Sequence, residues 1–531
     1  MSKTKGQTFL GGAAILAASV VIVKLLGALY KIPLGNLLDS QGMAHFYVAY
    51  NIYNLLLTIC TAGLPIALSK MVSEANALGK HNQVKRIFSV SLTTFFIIGA
   101  AATLVMFFFS GPLANFMNDP LASQSIHVLA PAVVCICIVS AIRGYEQGLG
   151  NMAPTAISQV LMALGKLIVG LTAAWFLVKW GYGPEISAAG ATFGDTVGIV
   201  ISMIFLIVLV LHTRSMRSEA SSDKPQASGE IFKRIMQIGI PITIGSSAMS
   251  IITLLDATIV LGRLQSALGL SVEDATTLYG QYTFGMNLFS LPSAFMPALG
   301  ASLIPFVSAS LARRDTKGVS RIVTAAMRVT ALLALPAGIG LSVLSGPILH
   351  LLYPAVPETA AAAAPMLRVL GIAVIFVCLM LLANSILQAH GWVNIPILTM
   401  VIGGIVKIVT NYFLVGTPSI NIHGAPIGTL CCYAVIAILN LIIVARMMPG
   451  KLNYAAIFFK PVIASLLMGA AALGVYQAMA GFTGNSIATV GAIAVAGLFY
   501  LILVLVMRII TREDLKLIPK GEKIANILRL K

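Results

Sequence analysis

The chain reads as an all-α polytopic membrane protein with 14 transmembrane helices, arranged as two parallel six-helix repeats around a central cleft plus two C-terminal helices. Three observations predict this class. The 531 residues are 58% hydrophobic and only 10% charged, where a soluble chain carries about 25% charged residues. Apolar runs of roughly 20 residues, the length that crosses the hydrocarbon core, recur from end to end. Short motifs of the first half return, in register, in the second.

The spans are expected near 9–32, 44–69, 87–110, 124–145, 154–178, 186–211, 235–261, 279–306, 323–346, 366–387, 395–415, 424–446, 456–479 and 485–508. Backbone groups in lipid must bond within the segment, so these spans are helices. The alternating ten-residue stretches of a β-barrel are missing from the sequence. Lys3 and Lys5 precede the first span, but no Ala-x-Ala-type cleavage site follows it, so that span is read as retained. The longest polar interruption, TRSMRSEASSDKPQASGE, is rich in Ser and charge and predicts a flexible linker. The organisation is therefore residues 1–212 as the N-terminal half, 213–230 as a cytoplasmic linker, 231–446 as the C-terminal half, and 447–531 as two extra helices and a basic tail.

A net charge of +17 raises nucleic acid as a partner, but the charges sit in loops between apolar spans, which argues against it. Lysine and arginine concentrate in alternate loops: Lys70 to Arg86, Arg143, Arg214 to Arg234, Arg313 to Arg321, Arg446 to Lys460, and the tail from Arg508. The positive-inside rule puts these loops and both termini in the cytoplasm. The opposite loops hold Lys179, Arg263 and Arg368 beside Asp39, Asp119, Glu185, Glu273, Asp274 and Glu358. The six cysteines fall inside apolar spans and read as small buried residues. The seven histidines have no metal-ligand spacing, and no Walker-type Gly-x-x-x-x-Gly-Lys-Ser/Thr is found. The chain is expected to transport rather than catalyse, with no cofactor.

The repeat is visible in single residues. Arg86-Ile87 and Ser110-Gly111-Pro112-Leu113 match Arg321-Ile322 and Ser345-Gly346-Pro347-Ile348 at one offset. Gln147, Gly150 and Lys166 match Gln388, Gly391 and Lys407 at another, and Gly190-Ala191 with Gly194 matches Gly424-Ala425 with Gly428. Six is an even number of spans, so the two copies share one orientation, and a cleft between them is expected.

Several segments then resemble a known family. They are Lys24-Leu-Leu-Gly-Ala-Leu-Tyr-Lys31, Phe46-Tyr-Val-Ala-Tyr-Asn-Ile-Tyr-Asn54, Gly63-Leu-Pro-Ile-Ala-Leu-Ser-Lys70, Leu291-Pro-Ser293 and Leu303-Ile-Pro305. They resemble the multidrug/oligosaccharidyl-lipid/polysaccharide (MOP) exporter superfamily, in its lipid II flippase and stage V sporulation protein B branch. The resemblance runs over essentially the whole chain. It implies a bacterial plasma-membrane flippase that moves a lipid-linked sugar diphosphate from the inner to the outer leaflet by alternating access. It also implies membrane lipids and cell-wall synthesis proteins as partners. Export of lipid-linked polysaccharide, teichoic or capsular units is the alternative, and a cation-coupled drug antiporter a further one. A non-transporting scaffold needs no intramembrane charge.

Ionisable side chains inside spans cost several kcal/mol and are functional candidates by default. Here most are basic, which suits an anionic cargo. Lys24 and Lys31 share a face of span one, two turns apart. Lys24 stands where relatives often carry the arginine of an Arg-x-x-Gly motif, and Tyr30 where another arginine is common. Lys31 either contacts cargo or snorkels to the outer interface. Lys166 and Lys407 hold equivalent places in spans five and eleven, beside small residues. Either they face the cleft and contact the diphosphate, or each pairs locally. In span eight, where the family often has charges, this chain has Asn287, which joins the substrate-binding set. Arg143 and Glu146 form either a cytoplasmic gate or an interfacial ion pair. Asp195 and Asp256 are the intramembrane acids, with Arg263 two turns beyond Asp256. Each acid either binds a coupling proton or sodium ion or neutralises a nearby cation. The membrane potential also favours outward movement of an anionic headgroup. Pro65, Pro292 and Pro297 interrupt spans two and eight and read either as bending points or as packing features.

Overall fold

The computed structural model describes residues 9–216, 222–448 and 453–509. Among them every regular element is a helix. Eleven segments are long and apolar enough to cross a membrane. Two of these hold two expected spans each, and the eighth expected span is divided between two helices. Lys3, Lys5, Arg217, Lys451 and nearly all of the basic tail lie outside the described residues.

The first expected loop proves to be a single residue. Helix α1 (Phe9–Thr61) joins two helices across a kink at Asp39, whose φ of 57° and ψ of −164° break the helix. Asp39 also starts the second helix, because its Oδ1 accepts a hydrogen bond from the Gly42 N–H at 3.0 Å. A carboxylate three residues ahead satisfies an otherwise orphaned amide and complements the helix dipole. Asn36, Ser40 and Gln41 look like a loop to hydropathy, yet their backbone is helical on both sides of the kink. The helix α2 (Gly63–Ala77) continues the same path after Ala62.

The described chain divides into two compact units, residues 1–280 and 281–531. In the first unit, α5 (Ser123–Gly148) is the most enclosed helix. It packs on α1, α2, α3 (His81–Phe108), the short α4 (Ser110–Phe116) and α8 (Pro184–Met216). In chain order α6 (Ala153–Gly165) and α7 (Leu171–Lys179), joined by a π-helical turn, Lys166–Gly170, come between α5 and α8, and both pack on α8. The helix α9 (Ser228–Ser266) packs on α1, α2 and α3 and belongs to this unit, although the repeat assigns it to the second half. The helix α10 (Val272–Ser293) crosses the boundary between the units, and α11 (Met296–Ala312) begins after Pro292.

In the second unit, α14 (Pro357–Ala389) takes the part of α5. Its neighbours are α11, α12 (Thr316–Val343), α13 (Ser345–Leu352) and α16 (Gly424–Met447). The helix α15 (Asn394–Val415) lies on α16 as α6 lies on α8. The matched Ser-Gly-Pro motifs open α4 and α13, each after a residue with nearly the same backbone angles, Phe109 (−105°, 21°) and Leu344 (−99°, 25°). The last helix, α17 (Tyr454–Val506), is again a pair, bent at Gly484 with φ 75°.

One expectation changes here. Residues 222–227 are docked rather than free. The Asp223 carboxylate accepts from the Asn82 and Gln83 N–H groups at 3.0 and 2.8 Å, and Gln83 Nε2 donates to Gln226 Oε1 at 2.9 Å. The open N-terminus of α3 supplies the donors that draw this acid in.

Candidate functional site

The site is built in the first unit from three elements. In α1, Phe46, Tyr50 and Tyr53 follow a spacing of four and three residues, so their rings share one face. Tyr30, before the kink, comes to the same place. Its ring centroid is 6.1 Å from that of Phe46, while Phe46 and Tyr50 stack at 5.4 Å. Lys166 opens the π turn. A π turn adds a residue to the helical repeat and re-aims its side chains, a feature frequent at functional sites. From α8, Asp195 completes the group.

Lys166 Nζ lies 2.9 Å from Asp195 Oδ1 and donates to the Tyr50 hydroxyl at 3.3 Å. It also sits 4.3, 4.8 and 5.6 Å from the ring centroids of Tyr50, Tyr30 and Phe46. The two charged side chains are 14% and 8% exposed. Aromatic faces attract the ammonium, and desolvation strengthens that attraction to about 2 kcal/mol or more. The Tyr30 hydroxyl donates to the Ala191 carbonyl at 3.0 Å, which ties α1 to α8 one turn before Asp195. Lys31 Nζ lies 5.0 Å from the Tyr47 ring centroid. Asp195 Oδ2 is buried and has no hydrogen-bond partner among the described residues.

Glycine lets α8 come this close. A Cβ on Gly194 would meet the backbone of Gly170, and one on Gly198 would meet the Met162 carbonyl and the Lys166 amide. Gly190, Gly194 and Gly198 recur every fourth residue, the small-residue ridge of close helix packing in membranes.

Four expected site residues, Tyr30, Lys31, Lys166 and Asp195, thus come together in one unit. The others are placed elsewhere. Lys24 is exposed on α1. Arg143 turns to α6 and α8, donating to Ser158 Oγ at 2.8 Å and Ser202 Oγ at 3.5 Å, while buried Glu146 accepts from Asn151 at 2.8 Å. Asp256 is buried in α9, with Arg263 half-buried two turns on. Lys407 and Asn287 are buried in the second unit. There the repeat is incomplete, because Gly428-Thr429 stands where the first unit has Gly194-Asp195. Thr429 Oγ1 lies 3.0 Å from the Tyr282 hydroxyl.

Sequence reasoning assigned no role to the Phe46, Tyr47 and Tyr50 rings, although their helical spacing and the neighbouring cations were visible signals. The sequence places Asp119 in an outer loop. In the fold Asp119 is fully buried, 2.7 Å from His45 Nδ1, which is 1% exposed. The turn is held inward by Asn118, which donates to the Thr258 carbonyl at 3.2 Å and whose own carbonyl accepts from Gln265 at 2.7 Å. A separation of 74 positions along the chain hides the His45–Asp119 pair from sequence. Replacing His45 by alanine is expected to lower stability by about 1.5–3 kcal/mol. A thermal melt of the purified protein measures it, and an unshifted midpoint refutes the contribution of this pair.

With the geometry established, comparison with known proteins gives the family. The family model described as "Polysaccharide biosynthesis protein" matches residues 9–311, more than half the chain. The chain belongs to the polysaccharide biosynthesis protein family. A second model, MatE, matches residues 241–413 of this family member. It is 27% identical to stage V sporulation protein B of Bacillus subtilis (strain 168) over 97% of this chain and 98% of the relative. It is 25% identical to lipid II flippase MurJ of the same organism over 82% of each chain. Its fold is similar to that of a solved lipid II flippase MurJ in an inward closed conformation, with TM-score 0.71 and 15% identity, covering 93% of this chain and 98% of that one. The resemblance expected from the motifs, to the lipid II flippase and stage V sporulation protein B branch, is met by relatives of those names and by a similar fold.

Proposed function

We propose that this polysaccharide biosynthesis family member is a flippase that carries a lipid-linked cell-wall precursor, of the undecaprenyl-diphosphate sugar type, from the inner to the outer leaflet. The observation that carries the reading is the Lys166 ammonium held against Asp195 inside an aromatic box. A cation kept in the membrane with a tethered counter-ion is primed for an anionic headgroup, which takes the place of the carboxylate. Lys31, on α1 beside the Tyr47 ring, adds a second cation from a different helix. The proposal places both termini in the cytoplasm of a bacterial cell, and leaves the work to the membrane potential, proton or sodium rather than to a cofactor. Asp195 Oδ2, without a hydrogen-bond partner among the described residues, offers a place for a proton or small cation when Lys166 turns to cargo.

The family description supports a second reading, export of lipid-linked polysaccharide units. The drug-antiporter reading is weaker, because a cationic drug would meet Lys166 and Lys31. Proteoliposomes holding the purified chain and one defined lipid-linked substrate at a time decide between these readings. Leaflet exchange is expected for undecaprenyl-diphosphate sugars. Exchange only of longer glycan units selects the second reading, and absence of exchange with either overturns both.

A further inference from the structure

Arg143 is a charge inside the first unit that the Lys166 site does not use. It is half-buried near the C-terminal end of α5, the end that lysine and arginine placement assigns to the cytoplasm. Its Nε donates to Ser158 Oγ at 2.8 Å and its Nη2 to Ser202 Oγ at 3.5 Å, and both serines are buried. A guanidinium has five N–H donors, so most of them stay unused. Among the described residues no carboxylate pairs with it, and Glu146, one turn on, accepts from Asn151. The two serines fix its place relative to Lys166. Ser158 precedes Lys166 by eight residues, about 12 Å of helix, and Ser202 follows Asp195 by seven, about 10 Å. Arg143 thus lies two turns inward of the Lys166–Asp195 pair, against the same helices. Tyr53 joins the two places: it interacts electrostatically with Arg143, and its ring centroid is 5.7 Å from that of Tyr50, whose face holds Lys166.

Packing alone does not call for this charge. In the register that matches Gln147 with Gln388, Asn384 of α14 stands in the place of Arg143. Asn384 Oδ1 accepts from Asn440 Nδ2 at 2.7 Å, so a neutral side chain ties α14 to α16 where Arg143 ties α5 to α8. An intramembrane cation without a counter-ion is costly, and the asparagine shows that the tie can be made without one. We propose that Arg143 is an inner subsite for the anionic headgroup, which holds the cargo before it reaches Lys166. The assignment rests on the flippase reading above. Two phosphate oxygens match the planar fork of a guanidinium, and the phosphate supplies the missing counter-ion. Lys166 differs, since Asp195 already balances it. Arg143 receives the headgroup without displacing a carboxylate, and Lys166 takes it over only by releasing one.

The test uses the full chain in phosphatidylcholine nanodiscs, with undecaprenyl diphosphate as the probe and undecaprenol as its neutral counterpart. Native mass spectrometry measures binding. The wild type is expected to prefer the diphosphate. Arg143→Gln should weaken diphosphate binding by about ten-fold and leave undecaprenol binding unchanged. It should also melt no lower than the wild type, because an unpaired charge has been removed. Arg143→Asn, which copies the equivalent place in the second unit, serves if the glutamine variant does not fold. Folded variants that bind the diphosphate as tightly as the wild type overturn the subsite and leave the flippase reading standing. A wild type with no preference for the diphosphate removes both. Melting points lowered in both variants make Arg143 a packing residue, and the assignment falls.

Discussion

Replacing Lys166 by methionine is expected to lower the stability of the protein by about 3–5 kcal/mol, because Asp195 is left buried without its partner. The double substitution Lys166→Met, Asp195→Leu is expected to restore most of that loss, since a buried ion pair replaced by apolar residues of similar volume is often neutral or stabilising. Flipping should be lost in both. Stability and function then move apart, as they must if Lys166 serves cargo and Asp195 serves Lys166. Thermal unfolding of the purified variants and leaflet exchange in proteoliposomes measure the two quantities. A double variant that flips lipid would remove Lys166 from the mechanism. One as unstable as the sum of the single variants would show that the two side chains contribute independently.

The second large effect is expected at Gly194. A valine there would drive its Cβ into the Gly170 backbone and to 3.0 Å from the Lys166 carbonyl. Backbone cannot turn aside as a flexible side chain does, so α8 must retreat from the π turn. Overpacking of this kind costs about 1–3 kcal/mol and more where backbone must shift, and Gly194→Val is expected at or above the top of that range. It should also abolish flipping, because Asp195 is carried on the displaced helix. Gly27→Ala is the control: its Cβ would meet nothing within 4 Å. Alanine in a helix is favoured over glycine by roughly 0.5–1 kcal/mol, so this variant should melt no lower than the wild type. Equal melting of Gly194→Val and Gly27→Ala would show that the helices do not depend on this contact.

Much of the helical layout was legible because hydropathy and backbone bonding are local properties. The first loop and residues 222–227 differ from expectation for a related reason. Asp39, Ser40 and Gln41 carry the composition of a loop, but Asp39 caps the helix it precedes. Residues 222–227 have linker composition, but Asp223 meets the open end of α3, far away in sequence. Composition reports what a segment tolerates, and caps depend on which partner arrives.

Lys166, Asp195 and Lys31 stood out singly in the sequence, since a charge in a span is costly whatever surrounds it. That Lys166 meets Asp195 rather than another acid depends on the rotation of α6 and α8. The π turn and the Gly190, Gly194, Gly198 ridge govern that rotation. The same holds for His45 with Asp119. The sequence by itself determined the membrane class, the repeat and the excess of intramembrane cations, because each follows from residues taken one at a time or in runs. Only the tertiary structure decided which charges are neighbours, because short-range electrostatics falls off within a few ångströms and those few ångströms are set by helix packing.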